Sequence, residues 1–370
     1  MPPEVPVLRI IEPNLVGPSG HYAEFIRAIS TSGADIIRTF DIAGSARAVG
    51  DCDLGARTKV RGVFHGHKWL DEVTELRNAL GSKDPFLILT ARPAHALTLE
   101  VLSHSAHAID SNSLRRARLY FHWCSRGPGE RFMARMARRV RAHAMAIAPT
   151  PTIAQFLRNS GWERVEEVPY PILAPRVIPA AQPTCRTLLM AGAARMNKGL
   201  ELVAGVAEIY GQSGCTRPLL VQTTPKRASH GHGWRVRKTL TRMKQSGAPG
   251  LVMDERAPHS AEYGERFNGA LVLAPYAPSA FADNVTGVVL DGLLRGAPCV
   301  TSAGSWSGHL VQRFGCGVTF TDRTAKGLAA AIDAALADWN GISARAQEAA
   351  RALAQEHDPV HLARVLAQSD

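Results

Sequence analysis

Residues 187–206 read TLLMAGAARMNKGLELVAGV. Thr187–Ala191 is a short apolar run of the length of a buried strand. Gly192, Ala193 and Ala194 make a turn of small residues, and after Gly199 the apolar positions recur at helical spacing. Strand, tight turn and helix in that order are half of a βαβ unit, the building block of a parallel sheet. Two cations, Arg195 and Lys198, stand at the turn just ahead of the helix. A helix N-terminus carries unpaired N–H groups and partial positive charge, so cations beside it suit a diphosphate. Arginine grips phosphate oxygens through two N–H groups, whereas lysine acts as a point charge. The same letters also describe an ordinary strand–turn–helix with two solvated cations, and the local pattern does not choose between them.

The alternation continues in both directions. Pro218–Thr223, Leu251–Asp254, Ala270–Pro275 and Cys299–Ser302 read as strands, and Lys198–Tyr210, Val285–Leu294, Lys326–Asp338 and Ser343–Gln368 as helices. On the N-terminal side Val7–Ile11, Phe86–Thr90, Leu119–Trp123 and His143–Pro149 read as strands. The turn Gly17–His21 opens a helix through about Ser30, another helix lies near Ala94–His104, and Thr150 or Thr152 is placed to cap a short one. Pro171, Pro175, Pro179 and Pro183 crowd a stretch without period, which reads as a linker. The expected organisation is a first domain over 1–172, a linker over 173–186, a second domain over 187–345 and a helical segment over 346–370. The expected fold class is α/β, two Rossmann-like doubly wound domains facing across a cleft.

Composition agrees with that size of architecture. A chain of 370 residues exceeds one ordinary core, and 45% hydrophobic with 20% charged residues excludes wholesale disorder. No run reaches the roughly 20 apolar residues of a membrane span; the best, Phe86–Leu102, is broken by Arg92, Pro93 and His95. The first residues lack a basic-then-apolar leader, and six cysteines without a C-x-x-C pair suit reduced thiols, so a cytoplasmic protein is expected. A net charge of +11 attracts nucleic acid, anionic lipid or phosphorylated small molecules alike. One basic concentration is Arg131–His143. As one helix it would gather Arg131, Arg135, Arg138 and Arg139 on one face and Phe132, Met133, Met136 and Val140 on the other. Such a helix either rests on an anionic membrane surface or turns its apolar stripe to its own core. A second concentration, Lys226–Lys244, has a single aromatic, Trp234; with 6% aromatics and no nucleic-acid motif, nucleic acid is disfavoured as a partner.

A second motif lies in Ala274–Ser302, APYAPSAFADNVTGVVLDGLLRGAPCVTS. Asp283 and Asp291 are separated by seven residues, placing one carboxylate before the expected helix and the other two turns along it. Taken with the first motif, these residues resemble the donor domain of retaining GT-B glycosyltransferases, in the large group 1 or family 4-like family marked by an E-x7-E motif. The shared elements are Gly192, Arg195, Lys198 and Gly199; then Asp283 and Asp291; then L-x-x-G-x-P-x-V as Leu293, Gly296, Pro298 and Val300. The first half is similar more loosely, through the glycine loop Gly17–Gly20 and the segments Ala144–Pro151, Phe156–Gly161 and Val168–Pro171. Both family glutamates are aspartates here, Ala193 replaces the usual arginine after Gly192, and TTPKRASHGHG replaces a glycine-rich turn.

The resemblance implies a GT-B fold whose C-terminal helix crosses back to the first domain. It implies that Arg195 and Lys198 bind the donor diphosphate, that Asp283, Asn284, Val285 and Thr286 hold the donor sugar, and that Asp291 holds the ribose. It further implies that His122 contacts the donor sugar, with Asp283 beside it as the catalytic pair, and that Gly17, Gly20 and His21 border the acceptor or a phosphate. The expected reaction moves a sugar from a UDP- or GDP-linked donor to a glycan, polysaccharide or lipid-linked acceptor, with retention and without a cofactor. The pairs His65/His67 and His230/His232 lack a third ligand, so no metal is expected. A peripheral position on the inner membrane face, through Arg131, Arg135, Arg138 and Arg139, is the expected setting. The alternatives are a non-catalytic nucleotide- or glycan-binding protein of the same fold and a nucleic-acid-modifying transferase.

Overall fold

The computed structural model describes residues 7–18, 20–48, 54–55, 57–65, 68–105, 111–123, 127–225, 231–256 and 258–368. The chain divides into two compact units, Met1–Leu173 with His357–Asp370, and Ala174–Glu356. In the first unit β1 (Leu8–Ile11), β2 (Phe40–Ser45), β3 (Thr58–Phe64), β4 (Phe86–Ile88), β5 (Ala117–Tyr120), β6 (Met145–Ala148) and β7 (Val165–Glu167) form one sheet. Its order is β3-β2-β1-β4-β5-β6-β7, and every pairing is parallel. Every residue of β4, β5 and β6 is buried, because helices cover both faces; their sequences are accordingly unbroken rather than alternating. The connecting helices are α1 (His21–Ser32), α2 (Lys68–Gly81), α3 (Pro93–Ser105), α4 (Ser111–Arg115), α5 (Pro128–Met136), α6 (Arg138–His143) and α7 (Pro151–Asn159). Right-handed crossovers put α2 to α7 on one face, over a core that includes Phe64, Leu76, Leu99, Leu119, Val140 and Trp162. Thr150 caps α7 by accepting from the Ile153 N–H at 3.3 Å, with Pro151 at the first helical position.

The second unit repeats the plan. Its strands β8 (Thr187–Met190), β9 (Leu219–Gln222), β10 (Leu251–Asp254), β11 (Ala270–Ala274), β12 (Cys299–Ser302) and β13 (Gly317–Phe320) are ordered β10-β9-β8-β11-β12-β13. Its helices are α8 (Leu200–Ser213), α9 (Trp234–Gln245), α10 (Ser260–Glu265), α11 (Pro278–Phe281), α12 (Gly287–Leu293), α13 (Trp306–Phe314), α14 (Ala325–Ala337) and α15 (Trp339–Glu356). In both sheets the winding direction reverses once, between β1 and β4 and between β8 and β11. Open α/β sheets bind ligands outside the carboxyl ends of the strands at such a reversal.

Several expected elements differ from those observed; the strand expected over Leu119–Trp123 is Ala117–Tyr120, which leaves His122 beyond its end, and the helix expected from Lys198 starts at Leu200. The helix expected over Ser343–Gln368 is two: α15 ends at Glu356, and α16 (Pro359–Ala367) belongs to the first unit. Pro359 has no N–H to continue a helix, and Asp358 starts the new one by accepting from the Val360 N–H at 2.9 Å. Segment 346–370 is thus divided between the units, and α16 packs on α1. The fully buried Arg118 of β5 secures that return by donating to the Gln368 carbonyl at 2.6 Å.

The basic helix expected over Arg131–His143 is also two, α5 and α6, broken at Ala137 with φ −81° and ψ 61°. The break scatters the expected arginine face: Arg139 turns to donate to the Ser103 carbonyl at 3.2 Å. Finally, α12 begins at Gly287, two residues later than expected, so Asp291 stands one turn into it rather than two.

Candidate functional site

At the reversal point of the second unit, the loop after β8 meets the loop after β11. Gly192 adopts φ 84°, a conformation open to glycine, and its N–H donates to Gln222 Oε1 at 2.7 Å. The buried Gln222 is itself oriented by donating to Thr224 Oγ1 at 3.1 Å, so the end of β9 fixes the turn after β8. A Cβ on Gly192 would lie 2.9 Å from Lys198 Nζ and 3.2 Å from Val288 Cγ2. The turn, the lysine and the first turn of α12 therefore converge. Met196–Lys198 form one 3-10 turn, and Gly199 (φ 79°) leads into α8. The Ala277 N–H donates to the Asn197 carbonyl at 2.9 Å and joins the two loops.

Lys198 reaches over the ring of Tyr276, with Nζ 5.6 Å from its centroid. Burial pushes the ammonium down to about 8 from its ordinary 10.5, and the neighbouring Arg195 adds to the shift. Arg195 Nε is buried without a hydrogen-bond partner. Two cations are thus held close enough to repel, with no carboxylate among the described residues shown to offset the shift on Lys198. A bound anion would relieve both the repulsion and the desolvation. Tyr276 is fully buried, and its hydroxyl lacks a partner. Its backbone is clamped by Arg323, whose Nη1 donates to the Tyr276 carbonyl at 2.9 Å and to Ser302 Oγ, while Nη2 donates to the Pro275 carbonyl at 3.3 Å.

The acids are placed differently from each other. Asp283 is half-buried in the segment between α11 and α12. Asn284 turns its Nδ2 to the Ala280 carbonyl at 2.7 Å. Val285 is half-buried; Thr286 is buried at the N-cap of α12, where its hydroxyl neither caps the helix nor finds another partner. Asp291 is already engaged: the Tyr263 hydroxyl donates to its Oδ2 at 3.1 Å, and Arg295 Nη1 lies 3.8 Å from its Oδ1.

The first unit gathers a separate cluster. His21 opens α1, stacks on Tyr170 with ring centroids 5.1 Å apart, and pairs through Nδ1 with the Tyr170 hydroxyl at 3.1 Å. His122, two residues beyond β5, lies 5.3 Å from the His21 ring and 4.8 Å from Tyr120. Burial holds the His122 imidazole well below its ordinary value, with His21 adding to that, so it is neutral at pH 7. It hydrogen-bonds the Leu89 backbone and keeps a buried Nε2 without a partner. Gly17 and Gly20 lie in the loop before α1, and a Cβ on either would meet open space, so close packing does not explain these glycines. At the reversal point itself lies Glu12, fully buried and pushed up by that burial. It accepts from Thr90 Oγ1, from the Asn14 N–H at 2.8 Å and from Asn14 Nδ2 at 3.0 Å.

Several of these groups escaped the sequence reading. Tyr276, Gln222 and Glu12 each sit at or just past the end of a strand, where the rule on reversal points directs attention. Tyr263, Tyr170 and Arg323 act through contacts made only by folding, and no local pattern marks them. Among the described residues no cluster of three His, Cys, Asp or Glu could hold a metal; His67 and His230 lie outside those residues. No helix of the described residues is long and apolar enough to cross a membrane.

No family model and no curated protein sequence matches the chain. Solved structures do. Sucrose-phosphate synthase from Thermosynechococcus elongatus aligns with a TM-score of 0.72 at 13% identity, over 97% of this chain and 98% of that one. Anabaena HepE in complex with UDP-glucose aligns at 0.69 and 14% identity, over 98% of each chain. WaaG, a glycosyltransferase involved in lipopolysaccharide biosynthesis, aligns at 0.66 and 17% identity, over 97% of this chain and 98% of that one. At such identities the likeness shows the architecture, which is the GT-B fold, one shared by glycosyltransferases that use nucleotide sugars.

Proposed function

We propose that the protein is a glycosyltransferase that moves a sugar from a nucleoside-diphosphate donor to a hydroxyl of a glycan, polysaccharide or lipid-linked acceptor, with retention and without a metal. The observation that carries this reading is the uncompensated pair Arg195 and Lys198 at the reversal point of the second sheet. A structural role would have supplied a carboxylate; a diphosphate supplies the missing charge. In this reading Asp283 and the segment Asn284–Thr286 hold the donor sugar, and the buried unpartnered Thr286 hydroxyl is one group still able to do so. Asp291 binds the ribose while Tyr263 and Arg295 fix its direction. His122 Nε2 meets a sugar hydroxyl, and Gly17, Gly20 and His21 border the acceptor. UDP-glucose, the ligand of the HepE structure, is the first donor to test.

In the reaction the bond from the anomeric carbon to the β-phosphate oxygen breaks through an oxocarbenium-like state. A bond from that carbon to the acceptor oxygen forms on the same face, and the acceptor's proton passes to the departing phosphate oxygen. Arg195 and Lys198 stabilise the charge that grows on the diphosphate, in a setting formed before the substrate arrives.

Titration calorimetry with UDP and GDP tests donor binding. Because an anion favours the charged lysine, binding raises the Lys198 value from about 8, and protons must be taken up. The expected uptake near pH 8 is about half a proton per site, read from the dependence of the heat on buffer ionisation. Affinity should be nearly level from about pH 7 to 8, above the second ionisation of the terminal phosphate, and fall up to tenfold per unit above that. Binding of neither nucleotide, and no turnover across a panel of sugar nucleotides, would remove the reading. Binding without turnover over a broad acceptor panel would select the non-catalytic alternative.

Tyr263→Phe removes the hydroxyl that donates to Asp291 Oδ2 while keeping the ring against Phe267. Losing a hydrogen bond to a charged group of this kind costs about 1–2 kcal/mol. The expected result is a roughly fivefold to thirtyfold higher Kd for the nucleoside diphosphate, with little change when a donor lacking the ribose hydroxyls is compared.

A further inference from the structure

We infer that the first unit docks on an anionic lipid surface through the outward apolar pair of α5 and the arginines that flank it. The sequence left two fates for the apolar stripe of this segment, and burial now separates them. In α6 Val140 is buried, its N–H taken by Glu100 Oε2 at 3.0 Å. In α5, by contrast, no residue is buried at all. Phe132 is 61% exposed and Met136 50%, one helical turn apart. The other side of the helix is where it meets its own unit: Ala134 lines a small apolar pocket with Phe121, Trp123, Phe156 and Trp162. Phe132 and Met136 lie roughly 160° around the helix from Ala134, in either sense, so they point away from that pocket. An amphipathic helix that turns its apolar pair outward is not serving its own core.

The charge around this pair identifies the occupant. Arg131, Arg135 and Arg138 are all exposed, and none forms an ion pair with an acid among the described residues. Arginines flanking Phe132 and Met136 can reach headgroup phosphates while the apolar pair enters the acyl boundary. The arrangement has cations around an outward-facing apolar pair on one side of one unit. It stands on the first unit alone and does not depend on the donor chemistry assigned to the second.

The test is flotation of the full-length chain with vesicles of phosphatidylcholine alone and of phosphatidylcholine with a quarter phosphatidylglycerol, at about 0.05 M and 0.5 M salt. Retention is expected only on the anionic vesicles, and it should be largely lost at the higher salt. Replacing Arg131, Arg135 and Arg138 together by glutamine should weaken partitioning about a hundredfold, from roughly fivefold per arginine. Phe132→Ser with Met136→Ser should weaken it about tenfold or more. Since all five substituted residues are exposed, neither set should change the circular dichroism or the melting temperature. No retention at low salt, equal retention on neutral vesicles, or retention that survives both sets of substitutions would overturn the proposal. So would self-association abolished by Phe132→Ser in a protein that does not float, which would give this face to a second copy.

Discussion

At pH 7, Lys198→Met is expected to yield a protein that is more stable than the parent and nearly inert as a transferase. The two effects share one cause. The fold buries the Lys198 ammonium beside Arg195 and lowers it from 10.5 to about 8. Each unit of such a shift corresponds to about 1.4 kcal/mol, but Lys198 is only half-buried, so about 1–3 kcal/mol is the expected gain on removal. The sign follows from a folded value below the unfolded one. Below pH 8 the lysine is charged in both states and the folded protein bears the full cost. Between pH 8 and 10.5 the folded state sheds the proton and the cost declines, and above 10.5 it is gone. Methionine matches the length and apolar stem of lysine, so the gain should be largest at pH 7 and should fade towards pH 10.5.

Turnover should move the other way. A preorganised cation aimed at developing charge is worth about 10²–10³ in rate. Urea melts at pH 7 and pH 10, together with steady-state rates on the best donor, measure both arms. A destabilised Lys198→Met that keeps its turnover would make the lysine an ordinary packing residue and would unseat the proposed diphosphate site.

The fold was legible where burial on both faces writes an uninterrupted apolar run. β10 and β12 lie at the residues read from the sequence, and β8, β9 and β11 within one residue at each end. It was illegible where strands carry charge. β3 (TKVRGVF) sits at the sheet edge, and its Arg61 is compensated only after folding, by Asp41 at 2.8 Å and Glu75 at 3.2 Å. Helix breaks were readable in principle at Pro359 but not at Ala137, where no residue type announces the change in backbone.

The candidate site divides in the same way. Gly192, Lys198 and Gly199 are adjacent in sequence and adjacent in space, because a turn between a strand and a helix is a local object. The partners that define their chemistry are not local. Tyr276 beneath Lys198, Gln222 on Gly192 and Arg323 on the Pro275 and Tyr276 carbonyls come from other strand ends. The aspartate pair shows the limit most clearly. Its spacing is visible in the letters, yet the Tyr263 hydroxyl that occupies one oxygen of Asp291 lies 28 residues away.

Gly199→Ala is expected to be the most damaging single-methyl change in the second unit's site, and Gly214→Ala separates its causes. The two glycines flank the same helix, α8, and both have positive φ, 79° and 65°. A Cβ at Gly214 meets nothing within 4 Å, so alanine there pays only for the left-handed backbone, about 1–2 kcal/mol. A Cβ at Gly199 would lie 2.2 Å from the Pro275 carbonyl oxygen and 2.7 Å from Pro275 Cγ. That oxygen is held by Arg323, so it cannot withdraw without breaking the clamp on the end of β11. Overpacking of this kind adds about 1–3 kcal/mol, for a total of about 2–5 kcal/mol. The strain is relieved most directly by moving the 3-10 turn, which carries Lys198 and the Asn197 carbonyl bonded to Ala277. A displacement near 1 Å at a positioned charge can cost about a hundredfold in rate. Chemical denaturation should therefore rank Gly199→Ala well below Gly214→Ala. Calorimetry with a nucleoside diphosphate should show affinity lost in the first and kept in the second. Equal losses of stability in both, with binding intact, would mean that the loops after β8 and β11 do not need each other, and the site built on their contact would have to be placed elsewhere.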